Sequence, residues 1–239
     1  MTVLVLGATG GLGRALVRSL ARAGYDLVLA GRDAAELDAV AADARIRHAV
    51  RVAVERCDLL ELASHPEVVA RCCAEPLAGV VSCTGEMLEP GAPPADVARV
   101  LMVNYVATVS LVDQVAARLV ERGGGFVCVV SSVAGDRGRG SNYHYGSAKA
   151  GLNAYLDGLR GRLHGTGVRV TGVRPGFIDT RMTFGRTPPG LTASPEQVAE
   201  GMLRAIRSGR RTVYLPGFWR WVGMALRAIP APLFERMRL

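Results

Sequence analysis

Of the 29 lysine and arginine residues in this chain only one, Lys149, is a lysine, and Tyr145 stands four residues before it. On an α-helix, positions i and i+4 share a face with their Cβ atoms roughly 5–6 Å apart. A tyrosine and a lysine so placed form a coupled acid–base pair. A free phenol titrates near pKa ~10, too weakly acidic to exchange protons readily at neutral pH. An ammonium about 5 Å away, at an effective dielectric near ~20, contributes roughly 3 kcal/mol, or about two pKa units. The expectation is a Tyr145 hydroxyl lowered toward ~8. An arginine in place of Lys149 would hold its proton permanently, so a proton-relay role explains why a lysine persists here. The plain alternative is a surface lysine one turn from a tyrosine. Ser132, thirteen residues before Tyr145, offers a further hydroxyl. Tyr143 has Ser147, not a lysine, four residues on and lacks the activating charge. His144 points to another helix face and is a candidate substrate contact.

A second constellation opens the chain. Gly7-Ala8-Thr9-Gly10-Gly11-Leu12-Gly13 directly follows the apolar run Thr2–Leu6 and leads into a helical pattern. Glycines there let the backbone approach a pyrophosphate, and a helix N-terminus supplies free N–H groups and the positive end of its dipole. A glycine turn with no ligand is the alternative. The next apolar run ends in Gly31-Arg32-Asp33. An acid at that place serves the 2′-hydroxyl of NAD, whereas an arginine accommodates the 2′-phosphate of NADP. Arg32 favours NADP(H) over NAD(H) through a charge-assisted contact. Asp33, able to repel a phosphate, keeps NAD(H) open.

The elements that must position these groups follow from periodicity. Thr2–Leu6 reads as a strand buried on both faces, Leu12–Ala23 as a helix and Asp26–Ala30 as a second strand, which is a βαβ unit. The alternation continues with a helix over 34–44, strand 50–54, helix 66–74, strand 79–82, one long helix over 95–122, strand 126–130, helix 143–164 and strand 168–173. Such regularity means an α/β chain of Rossmann type: a doubly wound, open parallel sheet with helices on both faces, in a single domain spanning 1–239. The stretch from 174 to 195 is rich in Pro, Gly and polar residues and reads as a substrate loop or lid. Ser194-Pro195-Glu196 reads as a helix start, Ser as N-cap and Pro in the first turn. That helix runs to about Ser208, with a short strand at Thr212–Leu215 after it.

Together Gly7, Gly11 and Gly13 in GxxxGxG spacing, Asn104, Ser132 and Tyr145-x-x-x-Lys149 make this chain resemble the short-chain dehydrogenase/reductases over essentially its whole length. The resemblance implies an oxidoreductase interconverting a ketone and a secondary alcohol with NAD(P)(H). It implies Tyr145 as catalytic acid/base, Lys149 as the group that binds the nicotinamide ribose and lowers the tyrosine pKa, and Ser132 as the hydrogen-bonding partner of the substrate oxygen. Asn104 would hold a water in a proton relay to Lys149. Gly7, Thr9, Gly10, Gly11, Leu12 and Gly13 would cradle the pyrophosphate, Asp58 and Leu59 would meet the adenine, and Pro175, Gly176, Ile178 and Thr180 the carboxamide. The family's Asn-Asn-Ala-Gly after the fourth strand is here Ser82-Cys83-Thr84-Gly85, which retains only Gly85 and puts the local contacts in doubt. Homodimers or homotetramers are implied by the resemblance alone. Within the family, Ala134-Gly135-Asp136-Arg137, Arg174-Pro175-Gly176 and the tail are similar to the decaprenylphosphoryl-2-ketoribose reductases, which act on a keto sugar carried on a polyprenyl phosphate. A 3-oxoacyl or steroid-type ketoreductase is the alternative substrate class. A non-catalytic dinucleotide sensor is the alternative of another kind, disfavoured because the acid–base residues are intact.

The bulk numbers fit a globular chain: 49% hydrophobic and 21% charged residues. No basic leader or long apolar segment points away from the cytosol. Five cysteines, Cys57, Cys72, Cys73, Cys83 and Cys128, show no metal or redox spacing and read as reduced thiols. A net charge of +8 comes from scattered arginines with no basic block, so an anionic cofactor, an anionic substrate or a membrane surface explains it better than nucleic acid. Arg137, Arg139, Arg181 and Arg186 flank the expected catalytic centre and are candidate contacts to an anionic substrate. The tail, 217–239, sets Trp219, Val222, Leu226 and Ile229 at helical spacing among arginines. Such a stripe packs on its own domain or a second subunit, or lies in a membrane interface.

Overall fold

A computed structural model describes residues 1–88, 91–183 and 190–237. The elements are β1 (Thr2–Leu6), α1 (Gly11–Arg22), β2 (Asp26–Gly31), α2 (Ala34–His48), β3 (Val52–Arg56), α3 (His65–Cys72), β4 (Leu77–Ser82), α4 (Pro94–Leu101), α5 (Ala107–Glu121), β5 (Gly125–Val130), α6 (Tyr143–Arg162), β6 (Val168–Pro175), β7 (Phe177–Ile178), β8 (Thr192–Ala193), α7 (Pro195–Arg207), β9 (Thr212–Leu215), α8 (Trp219–Ala228) and α9 (Ala231–Phe234). Seven strands form one sheet in the order β3-β2-β1-β4-β5-β6-β9, every pair parallel. β1 pairs with β2 on one side and β4 on the other, so the strand order reverses there. That reversal opens a crevice at the carboxyl ends of the strands. The glycine turn after β1, Ser82–Gly85 after β4, Ser131-Ser132 after β5 and Pro175-Gly176 after β6 all reach this edge.

Both sheet faces are covered, as continuous apolar strands require. Leu16 and Leu20 of α1, Leu37 of α2 and Met202 and Ile206 of α7 close one face. Val68 of α3, Leu111 and Val115 of α5 and Leu152 and Leu156 of α6 close the other. The start of α7 is fixed by a reciprocal capping box between Ser194 and Gln197, one turn of the expected N-cap.

The structure corrects two stretches. The helix expected to run unbroken over 95–122 is divided by a π-helical segment at Met102–Val106, with Asn104 inside it. One extra residue per turn leaves the apolar pattern nearly intact, so periodicity does not reveal it; such bulges recur at functional sites. The stretch expected as plain loop from 174 holds the end of β6, the β7–β8 pair and a 3₁₀ turn at Arg181–Thr183. The run Pro94–Glu121 is long and apolar enough to cross a membrane by composition, but about half of it is buried within the fold.

Candidate active site

Ser132 follows β5 directly, and its Oγ accepts from the Ala134 N–H at 3.1 Å, which caps a 3₁₀ turn and fixes the side chain. This turn packs on α6: a Cβ on Gly135 would lie 2.6 Å from the Lys149 carbonyl carbon, and Ser131 Oγ donates to the Lys149 carbonyl at 3.1 Å. Ser132 and Tyr145 are thereby brought together across thirteen residues of chain, near enough for the Ser132 hydroxyl to favour the ionised phenol. Lys149 is 2% exposed. Its Nζ donates to the Thr84 carbonyl at 3.3 Å and the Val130 carbonyl at 3.2 Å, and lies 5.6 Å from the centre of the Tyr145 ring.

Here the expected electrostatics need correction. Burial pushes the Tyr145 phenol up, opposed by the neighbouring Ser132 hydroxyl. Burial pulls Lys149 down to about 8, with the neighbouring Cys83 acting the other way. Desolvation disfavours the charged form of both groups. The ammonium spends its hydrogen bonds on backbone carbonyls, so the fold alone does not lower the tyrosine.

Asn104 is fully buried. Its amide donates to the carbonyls of Glu86 at 2.8 Å and Val100 at 2.9 Å, and its Oδ1 accepts from the Glu86 N–H at 3.3 Å. Glu86 is held in turn by a two-pronged pair with Arg99, at 2.9 and 2.7 Å. A Cβ on Gly85 would stand 3.0 Å from Asn104 Oδ1, 3.6 Å from Lys149 Nζ and 3.9 Å from Met182 Cε. Asn104 and Lys149 therefore converge on one point that only a glycine leaves open. The departure at Ser82-Cys83-Thr84 has a structural answer. Thr84 Oγ1 is bonded to Ser82 Oγ at 3.0 Å and Thr108 Oγ1 at 2.8 Å, which fixes the carbonyl that holds Lys149. Burial pushes the Cys83 thiol up to about 12, so it stays protonated.

The residues present fit a dinucleotide. Gly7 has φ +79°, and a Cβ on Gly13 would stand 2.2 Å from the Gly7 carbonyl oxygen, so turn and helix meet as closely as two glycines permit. α1 has Gly10 as N-cap, no side-chain cap and no acid in its first turn. Its first N–H groups, Leu12 among them, are left without a side-chain partner, as an anion would need them. Thr9 adds rigidity, its carbonyl accepting from Arg14 Nε at 2.8 Å. Thr180 Cγ2 lies 3.0 Å from the Cβ position of Gly11, which sets Pro175–Thr180 over the glycine turn; Ile178 is buried beneath it. Arg32 is exposed at the end of β2. Asp33 is engaged as N-cap of α2, accepting from the Glu36 N–H at 3.0 Å. Asp58 follows β3, its carboxylate accepting from the Leu60 N–H at 3.0 Å beside Leu59.

The substrate candidates separate. Arg137 is committed elsewhere: it donates to the carbonyls of Leu226 and Ile229 at the end of α8 and lies 3.8 Å over the Phe234 ring. Its neighbour Asp136, buried, binds Arg174 at 2.8 Å and Tyr214 at 3.0 Å. Arg181 is exposed on the 3₁₀ turn, and Arg186 lies outside the described residues. His144 lies against Tyr143, the ring centres 3.9 Å apart and tilted by 45°. Sequence patterns missed Glu86 and Arg99 and gave Thr84 and Asp136 no bonding role, because Asn104, Thr108, Arg174 and Tyr214 meet them only in the fold. Trp219, 4% exposed, presses its Nε1 to 2.0 Å from where a Cβ on Gly176 would be. The tail thus packs on its own domain through Trp219, Gly223 and Phe234.

A crevice of this construction belongs to an oxidoreductase that uses a nicotinamide dinucleotide. The model of the short chain dehydrogenase family matches residues 1–188, and the chain belongs to that family. It is 41% identical over 240 residues to an uncharacterized oxidoreductase of Mycobacterium tuberculosis, covering 98% of this chain and 96% of the relative. It is 34% identical over 202 residues to sulfoacetaldehyde reductase 2 of Chromohalobacter salexigens, covering 80% and 78%. A short-chain dehydrogenase from Sphingobium yanoikuyae, solved in complex with NADPH, superposes with a TM-score of 0.84 at 26% identity, covering 99% of this chain and 96% of that one.

Proposed function

We propose that the protein interconverts a ketone and a secondary alcohol with NADP(H), and that Ser132, Tyr145, Lys149 and Asn104 are the residues that do it. The observation that carries this reading is the convergence of Lys149 and Asn104 on the Gly85 gap, with Ser132 and Tyr145 beside one another. A bound nicotinamide supplies or takes the hydride at the carbonyl carbon. Ser132 orients the substrate oxygen and Tyr145 gives it a proton in the reductive direction. The phenolate so formed is stabilised by the Lys149 ammonium, and a water in the Gly85 gap, between Asn104 Oδ1 and Lys149 Nζ, returns the proton. A lysine with a pKa of about 8 can exchange protons near neutrality, which an arginine cannot.

The Gly7–Gly13 turn would hold the pyrophosphate, Arg32 the 2′-phosphate, Asp58 and Leu59 the adenine and Pro175–Thr180 the carboxamide. The engagement of Asp33 as a helix cap supports NADP(H), since that carboxylate is already turned to the Glu36 N–H. The NADPH of the Sphingobium structure supports the same choice. Family membership supports a homodimer or homotetramer. The decisive variant is Tyr145→Phe: turnover across a ketone panel, followed by NADPH oxidation, is abolished while NADPH binding is retained. Near wild-type reduction by that variant overturns the assignment, and absence of turnover by wild type with every ketone favours the sensor reading.

One observation favours a lipid-linked keto sugar within this class over a 3-oxoacyl or steroid substrate. α8 is apolar on both sides, with Trp219 and Gly223 turned inward while Phe218, Trp221 and Met224 are exposed beside Arg220. A basic, Trp-bearing apolar face suits an anionic lipid surface. Vesicles of phosphatidylglycerol should retain the wild type and release Trp221→Glu; equal retention of both removes this reading.

A further inference from the structure

The loop that joins the Ser132 turn to α6 borders a cavity of about 550 Å³. Gly138, Arg139, Gly140 and Ser141 form one wall, and Phe234, Glu235 and Met237 of the tail form the other. The cavity is therefore built against the N-terminal end of the helix that carries Tyr145 and Lys149. We infer that it is an anion subsite, in which Arg139 holds a carboxylate, sulfonate or phosphate carried by the substrate at a distance from its carbonyl. The inference rests on the ketone-reductase reading and names its substrate class.

Arg139 differs from its neighbours in having nothing to hold. Its Nε is buried without a hydrogen-bond partner. Among the described residues its side chain makes no ion pair or hydrogen bond. Arg137, two residues away, is saturated by helix carbonyls and an aromatic ring, and the nearest acid, Asp136, is saturated by Arg174 and Tyr214. Glu235 stands across the cavity and forms no pair with Arg139 among the described residues. Burial makes the guanidinium less comfortable with its charge, and Asp136 offsets only part of that.

Arg139 is half-buried, and its Nε, shut off from solvent, keeps a donor that only an incoming acceptor can satisfy. A guanidinium presents a planar fork that matches an oxyanion with two prongs. The helix end beside it adds to the attraction. Asn142, the N-cap of α6, makes no capping bond, and α6 has no acid in its first turn. The cavity volume falls in the range of small-ligand sites, about 300–1,000 Å³. A neutral substrate would leave Arg139 unpaired, so an anionic one binds with an advantage a neutral isostere lacks.

The test uses the full chain with NADPH and two matched ketones, levulinate and its methyl ester. Wild type should prefer the acid by about tenfold or more in kcat/KM, the size of a charge-assisted contact. In Arg139→Gln the preference should vanish, mainly through a raised KM for the acid, and Arg139→Lys should restore part of it. NADPH affinity should be unchanged in both. A second arm needs no turnover: with NADPH saturating the dinucleotide side, sulfate and phosphate are titrated while thermal unfolding is followed. Either ion should raise the midpoint of wild type and not that of Arg139→Gln. Equal acid-to-ester ratios, or equal ion responses, in wild type and Arg139→Gln overturn the subsite. If wild type reduces neither these ketones nor any of the wider panel but responds to the ions through Arg139, the subsite stands and the ketone reading fails.

Discussion

Lys149 offers a direct check on the electrostatics of the site, because its burial must show in the pH dependence of folding. Its ammonium is pulled from 10.5 to about 8 by desolvation. Below pH 8 the group is charged in both native and unfolded chains, and the native state bears the full burial penalty. Above 10.5 it is neutral in both and the penalty is gone. Between these limits the unfolded chain binds up to one proton more than the native chain, so stability rises with pH by at most about 1.4 kcal/mol per unit. From pH 7 to pH 10 this group alone should raise stability by about 2.5 kcal/mol.

Other buried groups act with the opposite sign. Cys57 is pushed up to about 11, and Cys72 and Cys83 to about 12, so their unfolded thiols ionise first as pH rises through 9. The comparison is therefore between wild type and Lys149→Met, in which those thiols are common. Urea unfolding of both proteins at half-unit steps from pH 7 to 10 gives the stability difference at each pH. The variant loses two hydrogen bonds to the carbonyls of Thr84 and Val130, which sets the offset between the curves but not its slope. The expected result is that the variant's stability relative to wild type falls by about 2.5 kcal/mol across the range. Curves that stay parallel within about 0.5 kcal/mol would mean that the native ammonium is solvated, and the account of Lys149 as a group poised near neutrality would be wrong.

Three further outcomes follow from single contacts. Asp136→Asn leaves Arg174, Tyr214 and the nearby Arg227 without their carboxylate and should lower stability by about 3–5 kcal/mol, read by urea unfolding; a loss under ~1 kcal/mol would show the network to be incidental. Gly13→Ala places a Cβ 2.2 Å from the Gly7 carbonyl oxygen and should cost about 1–3 kcal/mol of stability and weaken NADPH binding in a fluorescence titration, whereas wild-type affinity would refute the turn as the dinucleotide cradle. Arg32→Ala should weaken NADPH by about tenfold or more and leave NADH nearly unchanged, in competition titrations against each cofactor.

Local chemistry was legible in the sequence and long-range chemistry was not. The glycine turn is written in seven consecutive residues, and the Tyr145–Lys149 relation in one helical turn, so both could be read without coordinates. The parallel sheet followed from apolar runs alternating with helical patterns. What holds the site in register lies elsewhere. Arg99 acts on Asn104 through the backbone of Glu86, and Asp136 meets Tyr214 across seventy-eight residues; no spacing rule connects them. The direction of the tyrosine shift was misread for a related reason. Sequence gives the distance between two helical side chains but not their depth, and depth decides the charged states of Tyr145 and Lys149. Arg137 was misread because an arginine in a loop and an arginine that closes the end of α8 look alike until the tail is folded.

The two walls of the crevice are built from different parts of the chain, and that division has a consequence for specificity. One side is formed by the glycine turn and β2, within the stretch of 1–188 matched by the family model. The opposite side is completed by 217–237, beyond that stretch. There Trp219 packs on Gly176, Gly223 on Asp136, and Phe234 under Arg137, so the tail is pinned to the segments on either side of the reacting groups. Phe234, Glu235 and Met237 then close the cavity whose other wall carries Arg139. Substitutions in the tail can change the shape and charge of that cavity while leaving Ser132, Tyr145 and Lys149 in place, since their bonds run to β4, β5 and the 3₁₀ turn and not to the tail. The freedom to reshape the cavity lies with Phe234, Glu235 and Met237, whereas Trp219 of α8 also bears on Gly176.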